Sequence, residues 1–284
     1  MLLCASLLAA SVAPAASGEP EQKALGREAG LALVAGGHWQ AAVAALAPLA
    51  AAHPDDLEVR DHLGLALAEQ GAEAAAIETW QNLIDDHPQV YGPRLPLAAL
   101  HGRAGRWAQV VPLLEPLLER SPGDREARAL LARALRETGR WPEALVLQRR
   151  ILADDPGDPE SASVLAECLQ RTGAHGEAAG VLADLARRFP EQAGLWRRLG
   201  EARSGEDRWE EAAAAYEVAT RRAPDDAGAW QDLGWAWSET GRWGWALDAL
   251  RTAARQDPQV ASRILARLRA EDPVLAEEFA RLTP

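Results

Sequence analysis

The stretch Arg125–Asp158 reads REARALLARALRETGRWPEALVLQRRILADDPGD and carries start and stop signals for two helices. Asp124 stands just before it as an N-cap, and apolar residues then recur at helical spacing. Gly139 is suited to the left-handed turn that ends a first helix, and Pro156 stops a second one. The segment therefore predicts two helices of about 13 residues, each roughly 20 Å long, joined by a tight turn.

The same signals recur every 34 residues along the chain. The recurring prolines are Pro54, Pro88, Pro122, Pro156, Pro190, Pro224 and Pro258, and the turn glycines are Gly37, Gly71, Gly105, Gly139, Gly173 and Gly241, with Asp207 in the sixth slot. Seven units follow without insertion: 23–56, 57–90, 91–124, 125–158, 159–192, 193–226 and 227–260. A single helix pair cannot bury its apolar face alone, so each unit must stack on its neighbours.

This pattern resembles the tetratricopeptide repeat (TPR) family in unit length, small-residue phases, the Gly-x-Trp turn and the terminal proline. The resemblance implies an all-α, right-handed α-solenoid whose concave groove is lined by the first helix of each unit. The third unit departs from the pattern because it also contains Pro93, Pro96, Pro112 and Pro116. We expect this unit to be kinked or looser than the others.

The two ends of the chain lie outside the repeats. Residues 1–16 carry no charged side chain and finish in a small-residue site, which is typical of a secretory signal peptide cleaved near Ala15 or Ala16. Residues 17–22 form a short polar lead-in. Residues 261–284 are expected to form C-terminal capping helices, the last one opened by the pair Asp272-Pro273.

Composition and motifs exclude several classes of function. The 42 acidic and 30 basic residues give a net charge of −12, which disfavours a nucleic-acid partner. No apolar run after residue 16 is long enough to predict an integral membrane span. We find no catalytic constellation, phosphate loop or metal-ligand spacing, and therefore predict no enzyme activity, no cofactor and no metal.

Two of the 11 tryptophans fit no recurring core slot. Trp235 is predicted to lie on the groove side of its helix, where it either packs or acts as a binding hot spot. Trp245, on the second helix of the last unit, is expected to pack against the C-terminal cap.

The predicted groove contains a stretch rich in arginine. Its candidate partner-binding residues are Arg103, Arg133, Arg136, Arg171, Arg197 and Trp235, with Glu137, Glu167 and Glu201 interleaved. One interpretation is a binding surface for a carboxylate, an acidic segment or an anionic polymer. The other is a solvated surface of Arg–Glu pairs between adjacent helices.

The sequence therefore predicts a non-enzymatic scaffold that binds a protein or peptide in its groove and is exported to a bacterial periplasm or envelope. Three alternatives stay open. The chain could bind an anionic polysaccharide within an envelope or exopolysaccharide secretion complex, through Trp235, Arg171 and Arg197. It could be a cytoplasmic TPR adaptor if the N-terminus is not a signal, or an accessory subunit of an enzyme.

Overall fold

The computed structural model describes residues 18–282, which form sixteen α-helices and no strand. The predicted signal peptide, residues 1–16, lies outside the described residues. The chain divides into two compact units at Leu130 and Leu131. The first six helices are α1 (Gly18–Ala35), α2 (Trp39–Ala52), α3 (Leu57–Glu69), α4 (Glu73–Asp86), α5 (Arg94–Arg103) and α6 (Trp107–Arg120). Helix α7 spans Arg125–Glu137.

The remaining helices are α8 (Trp141–Asp154), α9 (Pro159–Arg171), α10 (His175–Arg188), α11 (Ala193–Ser204), α12 (Trp209–Arg222), α13 (Ala227–Glu239), α14 (Trp243–Gln256), α15 (Pro258–Glu271) and α16 (Pro273–Leu282). Consecutive helices pack in pairs, as the sequence predicts for a TPR solenoid.

The turns and caps are formed by the residues that the repeat predicts. All six turn glycines have positive φ, and Asp207, in the sixth slot, adopts φ 58°. Among the described residues it is the only non-glycine residue with positive φ. Aspartates before the first helices accept backbone N–H groups: Asp124, for example, accepts from Ala127 at 3.0 Å. The helix pairs that begin with such an aspartate are thus delimited by local chemistry before any packing between pairs is considered.

Within a pair, a small residue on the first helix faces a large one sixteen positions later on the second helix. A Cβ added to Gly64 would lie 2.6 Å from Trp80 Cε2, and one added to Gly200 would lie 2.6 Å from Tyr216 Cε1. Such distances are far below van der Waals contact, so glycine is required wherever an aromatic ring fills the partner slot.

A second recurring slot links five of the helix pairs to the proline that closes the preceding pair. Arg94 donates to the Pro88 carbonyl at 2.6 Å, and Trp230 donates to the Pro224 carbonyl at 2.8 Å. The members of this slot that make the bond are Arg60, Arg94, Arg128, Trp196 and Trp230. The arginines and tryptophans of this slot stand at the same 34-residue phase, but the bond to the closing proline was not predicted from the sequence.

The third repeat differs from the others at the start of its first helix. Helix α5 begins at Arg94 and has 10 residues, whereas α3, α7, α9 and α13 have 13. Pro96 therefore falls in the first turn, where no intrahelical N–H bond is lost. Helix α6 continues through Pro112 and Pro116 without interruption. The extra prolines shorten one helix and leave Gly92 in an open connection.

Two helices follow the seventh pair. Helix α16 begins at Pro273 with Asp272 as its N-cap, which accepts from Val274 N and Leu275 N at 3.0 Å. Ile264, Leu268 and Phe279 from α15 and α16 are buried in one cluster with Trp235. These helices cover apolar side chains that the last pair would otherwise expose.

Candidate functional site

The odd-numbered helices from α1 to α13 carry the predicted partner-binding residues, and we call the exposed side of these helices the first-helix surface. Because the chain divides into two compact units, the surface is described separately in each.

In the second unit the predicted arginines all have neighbours of opposite charge or aromatic neighbours. Arg136 Nη2 donates to Glu167 at 2.9 Å, and Arg133 lies 4.0 Å from Glu137. The Arg171 guanidinium lies over the Trp141 ring, 5.1 Å from its centroid. The interpretation as a surface of paired charges accounts for these contacts, and the role of each arginine in binding a partner stays a prediction.

Arg197 lies among three carboxylates on α11 and α13. It donates to Asp232 at 2.7 Å and lies 3.8 Å from Glu201 and 3.7 Å from Asp226. Burial raises the pKa of Asp232 and of Glu201, because removal of water disfavours the charged form. Burial alone would lower the pKa of Arg197, but the hydrogen bond to Asp232 and the charges of the neighbouring carboxylates raise it. Three carboxylates therefore surround the Arg197 guanidinium, and its role in binding a partner stays a prediction.

In the first unit Arg103 is exposed on α5 and pairs with Glu73 of α4 at 2.5 Å. An ion pair this exposed adds little stability. Arg103 lies exposed on the first-helix surface, and its role in binding a partner stays a prediction.

The two unassigned tryptophans differ in burial: Trp235 packs, which is one of its two predicted roles, whereas Trp245 is exposed. Trp235 is 9% exposed, packs against α15, and has the Arg267 guanidinium 4.0 Å from its ring centroid. Trp245, expected to pack against the C-terminal helices, is instead 57% exposed and makes an edge contact with Trp237 at 5.0 Å between centroids. The expectation for Trp245 was wrong: its ring contacts Trp237 and the Arg242 guanidinium, and it is not part of the buried cluster that α15 and α16 form.

An aromatic patch therefore surrounds the turn Gly241–Trp245. Trp243 is 47% exposed, and the Arg242 guanidinium lies 4.7 Å from the Trp237 ring centroid and 5.1 Å from that of Trp245. A depression of about 630 Å³ lies beside these residues. The patch lies outside the first-helix surface, on the turn between α13 and α14.

A pocket of about 180 Å³ opens on the first-helix surface of the first unit. Its lining residues come from α3, α4 and the start of the third repeat: Asp61, His62, Leu65, Trp80, Gly92 and Pro96. Asp61 is partly buried, and burial raises the pKa of its carboxyl. The pocket exists because α5 starts late and Gly92 has no side chain to fill it.

Hydrogen bonds fix the walls of this pocket. Trp80 Nε1 donates to Asp61 Oδ1 at 2.9 Å and to the Asp61 carbonyl at 3.1 Å. His62 Nδ1 donates to the Glu58 carbonyl at 2.8 Å. The pocket was not predicted from the sequence. The available signals were the glycine at position 92 and the proline at position 96.

Within the described part of the chain no three potential metal ligands come together. No helix between residues 18 and 282 combines the length and the apolar character that crossing a membrane requires.

Two tetratricopeptide repeat profiles match the chain. One covers residues 27–90 and 197–261, and the other covers 103–168 and 135–202. The chain belongs to the tetratricopeptide repeat family. Proteins of this family bind protein partners and are generally not enzymes, and the TPR chain described here has the corresponding scaffold fold.

Solved structures of MamA proteins have a similar fold. MamA of strain AMB-1 is 26% identical, with a TM-score of 0.52, over 61% of this chain and 93% of that chain. MamA of Desulfovibrio magneticus RS-1, solved from residue 41 to its end, is 17% identical, with a TM-score of 0.54, over 60% and 96% of the two chains, and shows the fold alone. No curated protein sequence matches the chain significantly.

Proposed function

We propose that this TPR protein is a non-enzymatic scaffold that binds an extended or helical segment of a protein partner along its first-helix surface. The observation that carries the proposal is the way neighbouring first helices hold their surface side chains in place. Arg136 bonds Glu167 of the next repeat, and Arg197 bonds Asp232 of the next repeat. Because these side chains are already ordered, binding costs less conformational entropy.

The charge of this surface favours a basic partner segment. Three carboxylates surround the Arg197 guanidinium, and Asp61 contributes another carboxylate in the first unit. The whole chain carries a net charge of −12. Complementary charge accelerates encounter and fixes the orientation of the bound segment.

An anionic polysaccharide fits this surface less well. The stacking contact foreseen for a sugar was Trp235, whose indole is buried beneath α15. The guanidiniums of Arg171 and Arg197 are in contact with an indole ring and with carboxylates. A protein or peptide is therefore the occupant that we propose.

We also propose that the protein is exported, with residues 1–16 removed as a signal peptide. The support is the uncharged apolar start and the small-residue site at Ala13-Pro14-Ala15. N-terminal sequencing of the protein purified from cells tests this proposal. A start near Ala16 or Ser17 supports export, and an intact Met1 contradicts it.

Photocrosslinking in cells tests the binding surface. A photoreactive amino acid replaces Arg133 on α7, whose side chain is 62% exposed, and in a control protein it replaces Val146 on α8, which is 55% exposed. Mass spectrometry then identifies the captured proteins. The proposal predicts a specific partner captured from position 133 and absent at position 146. Equal capture at the two positions, or capture at 146 alone, contradicts it.

A further inference from the structure

We propose that the pocket beside Asp61 receives the side chain of a lysine from the bound partner segment. The inference rests on the proposed scaffold function, because the lysine belongs to a segment lying on the first-helix surface. It also goes beyond that function, since it assigns one anchor residue of the partner and the site that recognises it.

The lining of the pocket matches the two parts of a lysine side chain. Leu65, Trp80 and Pro96 supply apolar walls, and Asp61 supplies a carboxylate. A volume of about 180 Å³ accommodates an alkyl stem with a small head group. Lysine buries its methylene stem against apolar surface and directs its ammonium to a polar partner.

Asp61 lacks the cation that comparable carboxylates in this chain possess. Asp56 pairs with Arg27 and Asp232 pairs with Arg197 at 2.7 Å, and both carboxylates are partly buried, as Asp61 is. Within the described residues no arginine makes such a pair with Asp61. The His62 ring lies nearby, and the Trp80 indole donates one N–H bond to the carboxylate. A carboxylate withdrawn from water without a counter-charge is unfavourable, and an incoming cation removes that penalty.

The hydrogen bonding of Asp61 selects an ammonium over a guanidinium. Trp80 already donates to Oδ1, which leaves Oδ2 as the main acceptor. A guanidinium binds a carboxylate best through both oxygens, whereas an ammonium is a compact charge that a single oxygen can accept. Gly92 keeps this space open, because a Cβ at position 92 would lie 2.7 Å from Oδ2.

The test uses a random 12-residue peptide library displayed on phage and selected on the full-length chain in about 150 mM salt, where long-range attraction between exposed charges is screened. Asp61→Asn removes the charge but keeps an oxygen for the Trp80 N–H. Gly92→Ala keeps the charge and fills the space next to Oδ2. Glu78→Gln, exposed on α4 and outside the first-helix surface, removes an equal charge and serves as the control.

Selected peptides are then resynthesised with lysine, arginine or norleucine at the enriched position, and their Kd values are measured by calorimetry. We expect enrichment of lysine at one position, with affinity falling about tenfold or more on Asp61→Asn or on lysine-to-norleucine exchange. Asp61→Asn combined with the lysine-to-norleucine exchange should lower the affinity little more than either change does alone. Glu78→Gln should leave the affinity within about twofold.

Three outcomes overturn the lysine pocket but not the scaffold function. The selected peptides could show no preference for a basic residue, they could prefer arginine, or their binding could be insensitive to both Asp61→Asn and Gly92→Ala. Failure to select any peptide, together with no partner captured from position 133 in cells, removes the scaffold function and the pocket with it.

Discussion

Substitution of Gly64 by alanine tests the rule that pairs glycine with an aromatic ring in the second and sixth helix pairs. The added Cβ would lie 2.6 Å from Trp80 Cε2 and 2.7 Å from Cδ1. Trp80 is 1% exposed and its Nε1 is held by two bonds to Asp61, so the ring cannot move aside without losing them. Overpacking of this kind costs about 1–3 kcal/mol, and the helix propensity of alanine offsets about 1 kcal/mol of it.

Gly64→Ala should raise the free energy of unfolding, and not lower it, when the Trp80 ring is absent. In a Trp80→Leu background the pair becomes alanine opposite leucine, as at Ala166 and Leu182, which are both fully buried in one cluster. Trp80→Leu alone should cost about 2–4 kcal/mol because it removes buried area and leaves a cavity. Gly64→Ala should then stabilise that variant by up to about 1 kcal/mol through helix propensity.

Urea denaturation followed by far-ultraviolet circular dichroism measures the four free energies of unfolding. The predicted coupling between positions 64 and 80 is about 1–3 kcal/mol. If Gly64→Ala destabilises both backgrounds by the same amount, contact with the Trp80 ring is not the reason for glycine at this position.

Three further predictions concern single positions. Gly139→Ala should destabilise by about 1 kcal/mol, because φ is 76° and no atom lies within 4 Å of the added Cβ, so the cost is conformational; a thermal melt unchanged from wild type would contradict this. Trp196→Phe removes the donor to the Pro190 carbonyl at 3.0 Å and should cost about 0.5–1.5 kcal/mol, whereas Trp196→Arg, which restores the donor found at Arg128, should cost less. Asp61→Asn should stabilise the fold at pH 7 and have no effect below about pH 3.5. Burial raises the pKa of the Asp61 carboxyl in the folded state, so the fold loses stability as the pH rises through that pKa. A benefit of equal size at both pH values would contradict the charge as its cause.

The sequence was sufficient to predict features determined within one repeat. The turn at Gly139, the cap at Asp124 and the unusual residue Asp207 follow from local backbone chemistry, and the structure confirms each. The 34-residue phase also contained the arginines and tryptophans that bond the closing prolines, a contact that was not predicted from the sequence.

Features that depend on packing between repeats were not predictable in the same way. Trp235 and Trp245 are both unmatched by the repeat, and their burial depends on where α15 lies relative to α13 and α14. The spacing of arginine and glutamate indicated pairing but not which carboxylates approach Arg197. The Asp61 pocket depends on the late start of α5, and the proline at position 96 did not indicate the residue at which this helix begins.

Hydrogen exchange measured by mass spectrometry, on the full-length chain with and without its captured partner, tests the central claim most directly. A scaffold that binds along its first-helix surface predicts slower exchange on binding in the odd-numbered helices, above all α3 and the 88–93 connection that border the Asp61 pocket. Protection confined to the even-numbered helices, or to the aromatic patch at Gly241–Trp245, would contradict the claim.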